Sequence, residues 1–491
     1  MSTLQQLSRA ALTRGPDYPA VEWAGRWVSW EDMRRIADLV TGLLHASGAD
    51  PRGQIGLLPR NRPAIIAAIL GLIADSRTIR MVHTFQSPSG IARDLDTEKP
   101  VAVVGMEEDF SPEVRAVLEA HGIAGIALLA DGAIAIAGCE GSFVACEGEL
   151  SEPRILLLTS GTTGPPKQFP LGFAMIAEHM IGTNLFNTAG AADPKSLPPL
   201  YMYLPFSTIS GLYLILPATL HGIRGVLVDK FSLASLRDFA VRYRPKSLGL
   251  PIPALHMMLE EEVPPEEFSS LNWISTGTAA LDPSVQHAFE DKFGIPVLLA
   301  YGATEFGGPA TFFTYDLYQE WGQKKFGSVG RPFAGTELRV VDPETGDVLA
   351  PGQEGLLEIK TRRIGPDWIR TSDLGVIDED GFLFHKGRAD GAIVRGGFKI
   401  LPESIEKALN LHDAISAVAV TGIPDERLGQ VPAAAIQLKP GVALPSIDEL
   451  KAHVREHAPA THVPAQWRFV ETLPYNSMLK VDRTALKALF D

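Results

Sequence analysis

Apolar residues recur at helical spacing in "SWEDMRRIADLVTGLLHASGA", with Ser29 placed to cap the first turn and Asp32 three residues on. The pattern predicts an amphipathic helix entered through an imperfect capping box, because Asp stands where a longer Glu or Gln is usual. "GQIGLLP" follows as a buried strand. The wholly apolar run Ala64–Ala74 reads as a buried helix, too short to span a bilayer. "KPVAVVG" is a further strand, and "SPEVRAVLEAHG" a further capped helix that stops at Gly122. The rhythm returns in "GIRGVLVDKFSLASLRDFAVRYRPKSLGLP" as strand, helix and strand. Such alternation predicts a largely parallel sheet covered by helices on both faces.

After about Phe326 the period changes from helical to two. "GTELRVVDPETGDVLAPGQEGLLEIKT" alternates apolar and polar residues, with turns at Pro343–Gly346 and Pro351–Gly352. "GVIDEDGFLFHKGR" adds a hairpin turned by Asp378–Gly381. From about Ala389 a small unit follows: helix "PESIEKALNLH", strands "ISAVAVTGIP" and "VPAAAIQL", helix "SIDELKAHVREHA", and the loop "LPYNSMLKVDRTAL" entering a last helix. The predicted fold is therefore α/β. A large N-terminal domain, 1–387, holds mostly parallel sheets and a small antiparallel β-subdomain at about 326–387. A small α+β C-terminal domain covers 388–491.

Composition narrows the function. The chain of 491 residues exceeds what one small core holds. Its net charge of −14 argues against a general polyanion-binding surface, so nucleic acid is not expected as the main partner. Two cysteines, Cys139 and Cys146, cannot build a disulfide framework, which fits a reducing compartment. The first residues lack the apolar core of a secretory leader. A soluble, cytoplasmic protein without a membrane span is expected, with a homodimer left open. His453 and His457 share a helix face at i, i+4, but Val454 stands where a zinc protease needs Glu, so they read as surface histidines. No G-x-S-x-G elbow occurs.

The stretch that carries chemistry is "LLLTSGTTGPPKQFPL", 156–171. Three leucines end a buried strand. A Ser/Thr/Gly run then offers backbone N–H groups and hydroxyls to phosphate oxygens, and Lys167 adds a mobile positive charge. The Walker spacing is absent, so this is not the usual phosphate loop. "TSGTTGPPK" resembles the nucleotide-binding signature of the adenylate-forming superfamily, which includes acyl-CoA synthetases, firefly luciferase and peptide-synthetase adenylation domains. The resemblance runs from about residue 27 to 487. In order it takes in "YGATE" at 301–305, "IRTSDLG" at 369–375, "GRADGAIVRGGFKILPESIE" at 387–406 and "LPYNSMLKVDR" at 473–483.

The resemblance implies a two-step reaction. A carboxylate attacks the α-phosphate of ATP and pyrophosphate leaves; a nucleophile, usually the thiol of coenzyme A, then captures the acyl-adenylate. An amine or a carrier-protein thiol is the alternative acceptor, and a non-catalytic nucleotide-binding relative is the rival of another class. By resemblance Thr159, Ser160, Gly161, Thr162, Thr163, Gly164 and Lys167 surround the β- and γ-phosphates. Tyr301 stacks on adenine, Thr304 touches the α-phosphate, and Glu305 holds Mg²⁺ with carboxylate oxygens suited to a hard cation. Asp373 accepts from the ribose hydroxyls and Arg388 faces ribose or phosphate. Lys480 neutralises the carboxylate and α-phosphate as they meet. Asp390 is the implied hinge, and the face Arg395–Lys399, with Gly396 and Gly397, meets the second substrate. The acyl pocket is implied at Phe206, Thr208, Gly211, Gly277, Thr278, Ala279, Gly302, Ala303 and Gly307. Its aromatic and small residues suggest a compact apolar acid, aryl or short-to-medium acyl; no acidic residue occurs in "LPFSTISGLY" to hold an α-amino group.

Several positions depart from the family pattern. Thr208 takes the place of a His or aromatic residue, Thr278 and Ser372 each replace a glycine, Leu479 replaces the Gly before the lysine, and Val394 replaces a common Lys. Val394 and Leu479 sit on the surface that changes partners between half-reactions, so they bear on the acceptor more than on adenylation.

Overall fold

The computed structural model describes residues 3–84, 86–141, 152–159, 167–182, 194–277, 281–395, 398–476 and 479–491. Two compact units divide the chain, Met1–Pro245 and Lys246–Asp491.

The first unit is built on a seven-stranded sheet. Gln54–Leu57, Thr78–Met81, Ala102–Met106, Ala124–Leu128 and Arg154–Thr159 run parallel, as the βα rhythm predicts. Ala133–Ala135 and Lys167–Gly172 close its two edges antiparallel. The apolar helix Pro63–Ala74 is buried almost throughout. At Gly71 a Cβ would lie 3.0 Å from the Ala37 Cβ, so glycine lets it close on the helix Trp30–Ala46. The capping box on that helix is complete despite the short acid. Asp32 N–H donates to Ser29 Oγ at 3.1 Å, and Ser29 N–H donates to Asp32 Oδ2 at 3.2 Å. Gly122 ends the helix Pro112–His121 at φ +61°, the left-handed turn the sequence indicates. A second sheet joins Leu200–Met202, Gly225–Leu227 and Pro19–Trp23 in parallel, with Arg26–Ser29 antiparallel at its edge. The helix Thr3–Leu12 was not among the predicted elements; Ser8 fixes it by donating to the Leu70 carbonyl at 2.7 Å.

In the second unit, Ser247–Gly249, Trp273–Thr276 and Val297–Ala303 are parallel, and Gly308–Phe312 and Arg331–Pro332 extend the sheet antiparallel. The period-two region forms a four-stranded antiparallel sheet of Thr336–Val341, Glu354–Thr361, Ile369–Ile377 and Leu383–Arg388. The last sheet pairs Ile415–Asp425 with Gly429–Leu438 and adds Ile393–Arg395, Phe398–Ile400 and Gln466–Val470. It has its own cores: Ile405, Leu409, Val420, Ile436, Leu450 and Val454 form one, and Ala419, Ala433, Leu473 and Leu486 belong to the other. A self-contained core is what a small separate domain requires.

No helix among the described residues is long and apolar enough to cross a membrane. The rings of His453 and His457 lie 4.4 Å apart, yet no group of His, Cys, Asp or Glu among the described residues is arranged to hold a metal ion. Cys139 is free and buried, and Cys146 lies outside the described residues.

Candidate active site

The candidate phosphate loop is bracketed by an antiparallel strand pair in the first unit. Leu158 faces Gln168, and Thr159 faces Lys167, so the two ends of the loop leave from one register position. The side chains of Thr159 and Lys167, and all of Ser160, Gly161, Thr162, Thr163 and Gly164, lie outside the described residues.

In the second unit the predicted adenosine residues come together from strands of two sheets. The Tyr301 hydroxyl, at the end of Val297–Ala303, donates to Asp373 Oδ2 at 2.5 Å. His385 Nε2 lies 3.3 Å from Asp373 Oδ1, and its ring sits 5.5 Å from that of Tyr301 at 33°. Burial alone would raise the Asp373 carboxyl. Hydrogen bonds from His385 and Tyr301, with the charge of Arg388 behind them, outweigh it, so the group stays ionised below its ordinary range. Burial, and then Asp373, push the Tyr301 phenol far up, which keeps it a donor. Thr371 Oγ1 accepts the Asp373 N–H at 3.0 Å and donates to the Leu357 carbonyl at 2.9 Å, fixing the bend before the acid.

Arg388 pairs in register opposite Asp373 and donates through Nη2 to Ser372 Oγ at 2.7 Å. Ser372, the residue in place of glycine, thus supplies an oxygen that orients this arginine. His385 was missed by the sequence reading. Its one signal was a histidine at an alternating position of a strand predicted to pair with the one carrying Asp373.

Thr304 and Glu305 sit in a 3-10 turn, Thr304–Phe306, which Gly307 ends at φ +69°. Phe306 anchors the turn in the core while Glu305 is exposed, and Glu305 makes no ion pair among the described residues. Lys480 lies in a tight turn closed by the bridge between Tyr475 and Val481. Asn476 shapes it: its Oδ1 accepts the Lys480 N–H at 3.1 Å, and its N–H donates to the Lys480 carbonyl at 2.8 Å. Leu479, in the glycine's place, holds φ +56°, a conformation that costs an L-residue roughly 1–2 kcal/mol. Burial lowers the Lys480 pKa most, the Arg388 charge lowers it further, and Glu305 opposes both. Lys480 is therefore within electrostatic reach of both Arg388 and Glu305.

The acyl candidates fall into two kinds. Phe206 is fully buried in the apolar core of the first unit. Thr208 caps the helix Ile209–His221: Oγ1 accepts from Gly211 N–H at 3.0 Å and donates to the Pro205 carbonyl at 2.8 Å. That capping accounts locally for threonine where the family has a larger ring. Three of the four predicted glycines are places where backbone meets backbone, while at Gly307 an added Cβ would first meet the Arg363 and Ile364 side chains, at 3.4 Å. An added Cβ would stand 2.0 Å from the Pro205 oxygen at Gly211, 2.5 Å from the Ala300 oxygen at Gly277, and 2.5 Å from Pro309 Cα at Gly302. Ala303 is half-buried; Thr278 and Ala279 lie outside the described residues. On the acceptor side, Arg395 donates to the Thr461 carbonyl at 2.6 Å and Val394 is exposed. Gly396 and Gly397 lie outside the described residues, as do the side chains of Lys399 and Asp390. The backbone of Asp390 belongs to the 3-10 turn Ala389–Gly391.

Residues 8–366 match the family described as AMP-binding enzyme, and residues 404–478 match the AMP-binding enzyme C-terminal domain. A long-chain-fatty-acid–CoA ligase of Bacillus subtilis is 28% identical over 350 residues, which cover 68% of this chain and 61% of the relative. The aligned chain thus spans under two thirds of that ligase. A 2-succinylbenzoate–CoA ligase of Bacillus cereus is 27% identical over 502 residues, covering 99% of this chain and 98% of the relative. The crystal structure of ATP-bound MatB from Rhodopseudomonas palustris has the same fold, with a TM-score of 0.82 at 22% identity over 100% of this chain and 99% of that one.

Proposed function

The chain belongs to the AMP-binding enzyme family, and we propose that it activates a carboxylic acid with ATP, releases pyrophosphate, and passes the acyl group to the thiol of coenzyme A. The observation that carries this reading is the set around Asp373. An ionised carboxylate is held between a phenol and an imidazole with the charge of Arg388 nearby, and Lys480 is in electrostatic reach of Arg388 and Glu305. Such a set can read a nucleoside through paired hydroxyls on Asp373 and a ring on Tyr301. It also brings cations to the α-phosphate. The thiol acceptor is supported by relatives that are CoA ligases, one of them similar along the full chain.

In the first step Asp373 and Tyr301 hold adenosine, and Thr304 orients the α-phosphate. The loop from Thr159 to Lys167 holds the leaving pyrophosphate. Lys480 stabilises the acid oxygen and α-phosphate as charge gathers between them. The exposed carboxylate of Glu305, without an ion pair among the described residues, fits a hard cation. Mg²⁺, when bound there, would offset phosphate charge. In the second step the domain 388–491 turns about Asp390. It withdraws Lys480 and presents the Arg395 face to the acceptor. The acid is read as compact and apolar, aryl or short-to-medium acyl, and the protein as cytoplasmic.

The test is a mass-spectrometric product screen with ATP, Mg²⁺ and a panel of aryl and fatty acids, with and without CoA. An acyl-CoA is expected. Acyl-AMP that is never converted to thioester would move the acceptor to an amine or carrier protein. Absence of any adenylate, or unchanged turnover in Lys480→Ala, would overturn the reading.

A further inference from the structure

The loop hairpin is held at the last register position before Thr159 and Lys167 by a side-chain hydrogen bond to the segment between residues 83 and 98. The strand pair at issue is Leu158 opposite Gln168, the last before Thr159 and Lys167. On one arm the Leu158 backbone lies near the His83 ring and favours its charged form, against the larger lowering by burial. On the other, Gln168 Nε2 donates to Glu98 Oε2 at 2.7 Å.

Glu98 is itself held. It ends the helix Pro88–Glu98, whose position is fixed by Arg80 on the neighbouring strand. Arg80 is 1% exposed and lies in register with Leu156 of the loop-bearing strand. Its guanidinium makes two bonds to Asp94, Nη1 to Oδ2 at 2.7 Å and Nη2 to Oδ1 at 2.6 Å, and its Nε lies 3.7 Å from Glu98 Oε2. A buried arginine in a bidentate pair has little freedom, so the helix end it anchors is a rigid post.

We infer that Gln168 and Glu98, backed by Arg80, are positioning residues for phosphate binding: they fix where the backbone carrying Lys167 leaves the sheet. A loop that surrounds phosphate with backbone N–H groups works only if both of its ends are fixed beforehand; otherwise binding must order them first. Lys167 is one residue from Gln168, so slack at Gln168 passes directly to the lysine. Neither residue is proposed to touch the phosphate. Both act through the position of Lys167.

The inference rests on the proposed use of ATP, and calorimetric titration with Mg-ATP and with adenosine separates the two. Failure of the unmodified protein to bind ATP would refute the functional reading itself. If it binds, Gln168→Ala and Glu98→Ala are each expected to weaken ATP about tenfold, the loss of one hydrogen bond to a charged group. Adenosine binding should stay unchanged, because it depends on Tyr301 and Asp373. The double variant should be no worse than either single one, since both remove the same contact. Glu98→Gln keeps an amide-to-amide bond without the charge, and should retain most of the ATP affinity. Equal loss of ATP and adenosine would make the contact merely structural. Unchanged ATP affinity, or additive losses in the double variant, would equally overturn the inference.

Discussion

Asp373→Asn perturbs the centre of the proposed nucleotide site with almost no change of shape. In the protein Oδ2 accepts the Tyr301 hydroxyl at 2.5 Å, and Oδ1 lies 3.3 Å from His385 Nε2. A carboxylate offers about four lone-pair sites, so two remain for ribose hydroxyls after these partners are served. An amide has one oxygen and one NH2. It cannot accept on both sides, and the NH2 must face a donor. Hydrogen bonds to a charged acceptor contribute about 1.5–3 kcal/mol each. Losing one ribose contact outright and the charge from the other predicts a loss of about 2–4 kcal/mol, or roughly 30- to 1000-fold in ATP affinity. Calorimetry with ATP and with 2′,3′-dideoxy-ATP tests the cause as well as the size. The unmodified protein should bind the dideoxy analogue much more weakly than ATP, and Asp373→Asn should bind the two nearly alike. If the variant still prefers ATP by the original factor, Asp373 does not read the ribose and the reasoning fails.

Lys480 should shape the alkaline limb of adenylation. Its pKa is lowered, chiefly by burial, so it loses its charge below the pH at which an exposed lysine would. The rate should therefore fall on a limb centred below the ordinary lysine value of about 10.4. Lys480→Arg, if active, should lack that limb in a pH profile of pyrophosphate exchange. Leu479 is held at φ +56°. Leu479→Gly should leave stability within about 1 kcal/mol, because relief of strain offsets added chain freedom. Leu479→Val should cost about 1–2 kcal/mol and slow adenylation, since a β-branched residue resists that conformation; equal melting curves for the two would contradict the strain. Gly302→Ala would bring a Cβ to 2.5 Å from Pro309 Cα. A loss of about 2 kcal/mol or more is expected in a denaturation series, and an unchanged midpoint would show that the backbones can part. Thr208→Ala should cost about 1 kcal/mol through the lost helix cap, and Thr208→Ser should cost much less.

The fold was legible where a short-range pattern has a single packing solution. The helix Trp30–Ala46 must bury Met33, Ile36, Ala37, Val40 and Leu44 on one side, and it does. The period-two region from Thr336 to Arg388 forms the antiparallel sheet it predicts, with Val340, Leu357 and Leu383 in one packed cluster. The edge strand Lys167–Gly172 was not read. Pro170 sits within it, which argues against a central strand but is tolerated at an edge, where that position needs no donor. The helix Thr3–Leu12 was also passed over. What fixes it is a set of contacts more than sixty residues away, Ser8 to the Leu70 carbonyl and Arg9 to the Ala74 carbonyl, and no local period encodes such contacts.

The site divides along the same line. Motif residues could be named in advance because their chemistry is local: an acid after a threonine bend, a glutamate in a short turn, a lysine in a tight loop. What could not be named is the set of partners that tunes them. His385 gained its role through a strand register, and Ser372 gained a partner in Arg388 only because residues 373 and 388 face each other. Departures from the motif are where this shows most clearly. Thr208 and Ser372 each lie where the motif expects another residue, and each makes hydrogen bonds that need its hydroxyl. Among the described residues, Leu479 donates its backbone N–H to the Asn476 carbonyl, and it keeps the strained φ. A substitution that brings a new partner is explained by folding alone. One that holds strain beside the proposed catalytic lysine, Lys480, is the departure whose link to activity the Leu479 variants test.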